Sequence, residues 1–254
     1  MTEKRAELGD TLWIERAVRA RGLYARYGKR IFDGVGAAAG LIVLSPVFVG
    51  VALAIAISSF STRQRGAGFF SQRRIGRNGR PFSLIKFRTM AHTADGGGPA
   101  ITVAGDARIT SLGAVLRRWK VDELPQLWNV LKGEMSLVGP RPELESFVRE
   151  YTLEQRRVLG VRPGITDPAS IAYRDEEELL AKQEDARGWY RRVVLPHKLA
   201  LNLDYIEDIS FSGDVALIAK TMRAVFSHHG RQVRTGRSTA PGGSAVSRGP
   251  GSAK

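Results

Sequence analysis

Between Arg30 and Arg63 the chain carries one charge, Asp33. The run IFDGVGAAAGLIVLSPVFVGVALAIAISSFST is long enough to cross a bilayer, which takes about 20 apolar residues. It begins well inside the chain, exceeds the roughly 7–15 residues of a leader core and is followed by bases, so it does not read as a cleaved signal peptide. Two readings stay open. One is a single spanning helix. The other is a helix that enters the bilayer and returns. Ser45-Pro46 falls at the midpoint of the run, and proline removes an intrahelical hydrogen bond and breaks or kinks a helix. An arm of about 14 residues reaches about 20 Å, short of a ~30 Å hydrocarbon core. Arg26, Lys29 and Arg30 precede the run, and Arg63, Arg65, Arg73 and Arg74 follow it. Basic flanks stay on the cytoplasmic side, and only a hairpin keeps both there.

The charge map agrees with a membrane setting. The net charge is +14, yet residues 61–90 hold eight bases and no acid, and the tail from 227 holds five bases and no acid. Bases that flank an apolar run point to anionic lipid headgroups, at about 1 kcal/mol per Lys or Arg, rather than to nucleic acid, which calls for a spread basic face. The absence of cysteine excludes disulfides, thiolate metal sites and a cysteine nucleophile. The four histidines, His92, His197, His228 and His229, have no metal-site spacing.

The rest reads as α+β, mainly α. Residues 1–28 are a basic lead-in, in which Leu12, Trp13, Ile14 and Val18 suit either an interfacial helix or a loosely ordered segment. Residues 29–62 form the membrane segment, 63–226 a compact domain, and 227–254 a disordered basic tail. Asn78-Gly79 between two β-rich runs signals a hairpin, and period two places Leu84, Lys86 and Arg88 on one face. Residues 91–105, with a Gly-Gly-Gly-Pro run, read as a loop. Ile109, Leu112, Val115, Leu116 and Trp119 fall at helical spacing, followed by Leu124, Leu127, Trp128 and Leu131, with Gly133 as the stop. Further helices are predicted near 143–160, 175–190, 195–208 and 213–227.

Two constellations carry charge chemistry. Asp122-Glu123 lies just before the second of those helical patterns, where unpaired N–H groups favour carboxylates. It reads as ordinary acids near a helix cap, or as a carboxylate nucleophile beside a divalent-cation ligand. Gly139-Pro140-Arg141-Pro142 is a plain turn, or a rigid guanidinium fork for phosphate. Lys86 and Arg88 suit a phosphate or a lipid headgroup. Glu176, Glu177 and Glu178 read as a solvated helix face.

The strings KRIFDGVGAAAGLIVLSPVFV, RRIGRNGRPFSLIKFRTM, LRRWKVDELPQLWNVLKGEMSLVGPRPE and VRPGIT, in this order, resemble the bacterial sugar transferase family, the monotopic polyprenyl-phosphate phosphoglycosyl transferases, from about Lys29 to Phe226. The resemblance implies a re-entrant membrane helix hinged at Ser45-Pro46 and a small catalytic domain with a β-hairpin on the cytoplasmic face of the inner membrane. The chain looks like the short form of the family. The implied reaction moves a sugar-1-phosphate from a UDP-sugar to undecaprenyl phosphate, the first membrane step of exopolysaccharide or surface-glycan synthesis. It implies Asp122 as nucleophile, Glu123 as ligand of a Mg²⁺ cofactor, and Arg141 as a phosphate clamp, with Arg117, Lys86 and Arg88 as further phosphate contacts. The partners implied are the nucleotide sugar, the polyprenyl phosphate and anionic membrane lipids, with no nucleic acid and with a homo-oligomer left open. Where many members continue with Gly and a Trp/Ala–Gln element, this chain has Asp167-Pro168-Ala169-Ser170, so the donor sugar does not follow from the resemblance. The alternative from another class is a membrane-anchored interaction or scaffold protein whose acids and arginines are structural.

Overall fold

The computed structural model describes residues 22–61, 68–91 and 102–235. The lead-in segment around Trp13, read as an interfacial helix or a loosely ordered stretch, most of the Gly-rich loop and the tail from 236 lie outside these residues. The architecture is mainly helical, with two small sheets. After a π-turn over Tyr24–Gly28, α1 (Lys29–Val43) and α2 (Ser45–Ser61) form the apolar pair. The hairpin follows as β1 (Phe69–Ile75) and β2 (Pro81–Phe87), then α3 (Ser111–Arg118), a 3₁₀ turn (Val121–Glu123) and α4 (Gln126–Lys132). The remainder is β3 (Ser136–Val138), α5 (Glu145–Val148), β4 (Gly164–Thr166), α6 (Pro168–Ala172), α7 (Glu176–Ala181), α8 (Ala186–Trp189), α9 (Leu195–Glu207) and α10 (Phe211–Thr235).

No described helix is by itself long and apolar enough to cross a membrane, and the pair Tyr24–Val43 and Ser45–Ser58 is bent by 59°. The bend falls where proline was expected to break the ladder. Leu44 sits between the arms with ψ near 2°, and the Ser45 hydroxyl donates to the Ile42 carbonyl (2.8 Å), taking up an acceptor the break leaves over.

The arms differ in what they touch. One stripe of α1 is made of Gly36, Ala37 and Gly40. A Cβ on Gly36 would come within 2.7 Å of Leu137, and one on Gly40 within 3.1 Å of Leu127, so small residues let α1 lie directly on α4 and β3. Its opposite side leaves Val35 65% and Ile42 74% exposed. From α2, Ile55 is buried with Phe87 of β2 and Leu116 of α3, and Phe48 and Val51 pack on that cluster.

Polar bonds lock the start of α1 to the domain. Lys29 Nζ pairs with Asp214 Oδ2 (2.5 Å), to which the Tyr24 hydroxyl also donates (2.7 Å), while the Tyr205 hydroxyl donates to Asp214 Oδ1 (2.7 Å). Arg30 donates to the carbonyls of Val130 (2.7 Å) and Leu131 (2.8 Å), capping the C-terminus of α4 as cations do. Asp33 accepts from the Ser136 hydroxyl (2.9 Å) and the Leu137 amide (3.0 Å). Lys29 and Arg30, read from sequence as lipid-facing flanks, are instead internal braces.

The hairpin pairs antiparallel with Ile75 opposite Pro81, and Asn78 (φ 57°) and Gly79 (φ 72°) take the left-handed turn positions, as Asn-Gly foretold. β3 and β4 pair in parallel, Ser136 with Gly164 and Val138 with Thr166. Gly139 and Gly164 pass so closely that a Cβ on Gly164 would lie 2.1 Å from the Gly139 nitrogen. The larger core joins Val138, Phe147, Leu180, Tyr190, Val194 and Leu199.

Several helix boundaries differ from expectation. The 143–160 stretch gives short α5 and a 3₁₀ segment (Gln155–Gly160), and 175–190 splits into α7 and α8. At 175–190 the break is Asp185, whose carboxylate accepts from the Gly188 amide (2.7 Å) and starts a new helix. The last helix runs from Phe211 to Thr235, past the expected end near 227.

Candidate active site

α3 ends where Lys120 adopts a left-handed backbone (φ 56°), a conformation costing a non-glycine residue roughly 1–2 kcal/mol. The chain then turns inward as the 3₁₀ segment, and Asp122 and Glu123 become buried, at 5% and 7% exposure. Neither side chain caps the helix that follows: Pro125 occupies its cap position, with no side-chain cap bond. For Glu123 the helix-start explanation drawn from sequence is therefore replaced by direct ion pairing.

Glu123 is the centre of that pairing. Arg141 grips it with two nitrogens, Nη2 to Oε1 (2.5 Å) and Nη1 to Oε2 (3.1 Å), and Lys86 Nζ reaches Oε1 (3.2 Å). Lys86 gets there because the hairpin is fixed to α4: Asn129 accepts from the Ile85 amide (3.1 Å) and donates to the Ser83 carbonyl (2.8 Å). With β2 so held, Leu84 enters the core and Lys86, two residues on, points at the same side. Arg141 is placed by its own loop. Its backbone N–H donates to Asp167 Oδ2 (2.8 Å), and Arg74 donates to the Pro142 carbonyl (3.2 Å). Glu143 accepts from Arg74 (3.4 Å) and from the Tyr190 hydroxyl (2.6 Å).

The electrostatics divide the two carboxyls. Burial raises the Asp122 carboxyl, and the adjacent Glu123 charge adds to the rise, to about 6, against the pull of Lys86, Lys120 and Arg117. Burial raises Glu123 too, but Arg141 and Lys86 outweigh it and hold Glu123 well below the usual carboxylate range. Lys86 is lowered by burial, which the Glu123 charge opposes, and Arg141 is raised by Glu123. Asp122 Oδ1 is buried and has no hydrogen-bond partner. The arrangement offers one uncommitted carboxylate oxygen on Asp122, and next to it in the chain a second carboxylate, Glu123, that gathers two cations.

Of the residues singled out from sequence, Asp122, Glu123, Lys86 and Arg141 come together. Arg117 instead pairs with Glu177, although its charge still favours an ionised Asp122. Arg88 lies one residue past β2 and donates to the Phe69 carbonyl (3.4 Å). The acidic run is not simply a solvated face: Glu177 holds Arg117, and Glu176 accepts from the buried Lys198 (2.7 Å). Sequence reasoning missed Asp167, Asn202, Arg74 and Asn129. Asp167 was visible only as a departure in the VRPGIT string, and Asn202, which donates to it (3.0 Å), carried no signal.

Among the described residues no cluster of three or more Asp, Glu or His side chains forms a metal cage. Mg²⁺ needs no such cage where substrate phosphates complete its shell, because one or two carboxylates then suffice. The Glu123 carboxylate is a hard oxygen donor of that kind, so its chemistry fits the ion.

Residues 24–228 match the family model described as bacterial sugar transferase, and the chain belongs to that family. It is 34% identical over 212 residues to the exopolysaccharide production protein ExoY of Sinorhizobium fredii, covering 78% of this chain and 84% of that protein. It is 34% identical over 203 residues to the UDP-glucose:undecaprenyl-phosphate glucose-1-phosphate transferase of Caulobacter vibrioides, covering 78% and 70%. It is 33% identical over 207 residues to the UDP-N-acetylgalactosamine-undecaprenyl-phosphate N-acetylgalactosaminephosphotransferase of Aeromonas hydrophila, covering 80% of this chain but 44% of that protein. The chain thus spans less than half the length of the Aeromonas relative.

Proposed function

We propose that this enzyme transfers a sugar-1-phosphate from a UDP-sugar to undecaprenyl phosphate through a covalent phosphosugar on Asp122. A buried Asp122 carboxylate with a free oxygen, in the field of Lys86, Lys120 and Arg117, carries the reading. The Asp122 oxygen attacks the sugar-bearing phosphorus. A phosphorus–oxygen bond forms to Asp122, and the bond to UMP breaks with its electron pair leaving on UMP. A phosphate oxygen of the lipid then attacks the same phosphorus, and the Asp122 carboxylate departs unchanged. Both nucleophiles are anions, so neither step needs a general base.

Glu123 keeps Arg141 and Lys86 assembled in the free protein, ready to meet the incoming diphosphate. Arg141 is bidentate and rigidly seated, which suits a phosphoryl group. Mg²⁺ held by Glu123 would supply charge neutralisation at the diphosphate when bound. Such positioning and electrostatics are what phosphoryl transfer chiefly requires.

The apolar pair is read as re-entrant, with the domain on the cytoplasmic face of the inner membrane. Its arms of 15 and 17 residues reach about 22 and 26 Å, short of a ~30 Å core, and the 59° bend turns the second arm back toward the domain. Exposed Val35, Ile42, Leu53 and Ile57 offer the apolar surface to lipid. The relatives' names support undecaprenyl phosphate as acceptor.

The test is UMP release by purified protein given Mg²⁺, undecaprenyl phosphate and, in turn, UDP-glucose, UDP-galactose and UDP-N-acetylgalactosamine. Release by the wild type and not by Asp122→Asn is expected. Equal release by both removes Asp122 as nucleophile, and a scaffold protein would release none.

A further inference from the structure

The turn that carries Asp122 and Glu123 hangs from the end of α3 by a short chain of backbone bonds. The Lys120 amide donates to the Arg117 carbonyl (3.0 Å), and the Glu123 amide donates to the Lys120 carbonyl (3.2 Å). Where Arg117 sits therefore sets where the two carboxyls sit. Lys120, the middle link, holds its left-handed backbone (φ 56°), and a strained residue keeps such a conformation only where its surroundings impose it. One side of that support is apolar, with Leu116 buried against Ile55 and Phe87. The other side is polar, and it comes from α7.

Arg117 Nη2 donates to Glu177 Oε1, 60 residues further along the chain. Among the described residues the Arg117 guanidinium has no other hydrogen-bond partner, and its Nε is buried and unpaired. Glu177 stands on α7, which is itself fastened to the body of the domain. Leu180 is 1% exposed in the larger core, Glu176 accepts from Lys198 of α9 (2.7 Å), and the Glu177 carbonyl accepts from the Ala104 amide (3.1 Å). The Arg117–Glu177 pair is partly exposed, and a pair so placed adds little to stability. What it does add is a fixed point at the root of the catalytic turn. We infer that Glu177 is a positioning residue for the transfer: by holding Arg117 it fixes the end of α3, and with it the placement of Asp122 and Glu123. This rests on the transferase reading above. Misplacing reacting groups by about 1 Å can cost roughly 100-fold in rate, so a pair of small energetic worth can carry a large effect on turnover.

Glu177→Gln keeps the shape and removes the charge that holds Arg117. The full chain in lipid nanodiscs is assayed with Mg²⁺, undecaprenyl phosphate and the UDP-sugar that the wild type uses best, with rates expressed per folded protein. Expected are a melting midpoint within about 2–4 °C of wild type, a kcat lower by roughly 10- to 100-fold, and a KM for the donor within a few-fold of wild type. Glu178→Gln, at an exposed neighbour on the same helix, should match wild type. In an Arg117→Gln background the Glu177 change should cost nothing more, because residues that act through one contact do not add. A Glu177→Gln protein that turns over within twofold of wild type overturns the inference. So does a loss that Glu178→Gln reproduces, a loss fully matched by a loss of folded protein, losses that add in the double variant, or an Arg117→Gln protein of wild-type activity. A wild type that releases no UMP from any donor fells the transferase reading itself, a result distinct from all of these.

Discussion

Asp122→Asn is expected to abolish turnover and, at the same time, to stabilise the protein. Burial and the Glu123 charge raise the Asp122 carboxyl from the ordinary 3.8 to about 6. At 1.36 kcal/mol per pKa unit, keeping it ionised in the fold costs about 3 kcal/mol. The folded state binds the proton more tightly than the unfolded chain, so stability falls as pH rises through the window from 3.8 to about 6. The cost is complete above that window and absent below it. Asn keeps the shape and cannot ionise. Its gain should therefore be about 3 kcal/mol at pH 7.5, or roughly 6–12 °C in melting midpoint for a chain of this size, and only about 1 kcal/mol at pH 4.5. Thermal unfolding of wild type and variant at both pH values, in the same detergent, reads the difference directly. A variant less stable than wild type at pH 7.5, or a gain that does not shrink on acidification, would refute the assignment of a strained, ionised nucleophile.

Turnover itself should fall as pH drops through about 6, because protonation removes the nucleophile; a pH–rate profile with no acid limb there contradicts it. Glu123→Gln leaves two half-buried cations without their carboxylate, so a part of the roughly 3–5 kcal/mol that breaking a fully buried pair costs should be seen in denaturant midpoints. Asp214→Asn removes the charge that anchors Lys29, Tyr24 and Tyr205, so amide hydrogen exchange should quicken over residues 24–33 while the core around Val194 keeps its protection. Cysteines placed at residues 2 and 64 should label from the same side in sealed membrane vesicles, and opposite-side labelling would defeat the re-entrant reading.

What the sequence made legible was mostly local. Pro46 marks a bend that one missing hydrogen bond produces, Asn78-Gly79 marks a turn that needs left-handed backbone, and period two correctly sends Leu84 and Lys86 to one side of β2. The grouping of Glu123 with Arg141 was legible too, but through a string of motifs rather than through any local rule. What stayed hidden depends on partners far apart along the chain. Lys29 meets Asp214 across 185 residues, and Arg30 meets the α4 carbonyls across about 100. A basic cluster therefore looks lipid-facing until the fold shows what lies beneath it. Arg74 shows the same effect. It sits in a run of bases, yet strand alternation turns Arg73 outward and Arg74 onto Pro142 and Glu143.

The proposed covalent capture of the phosphosugar is the step that would most separate this enzyme from a direct transferase or a scaffold. Intact-mass measurement of the protein with Mg²⁺ and its UDP-sugar, in the absence of lipid phosphate, reads it in one experiment. An increase equal to one sugar-1-phosphate less water is expected, mapped to Asp122 and absent from Asp122→Asn. UMP release that proceeds only when undecaprenyl phosphate is added, with no mass change before it, would mean that the lipid attacks the donor directly and that Asp122 never carries the sugar.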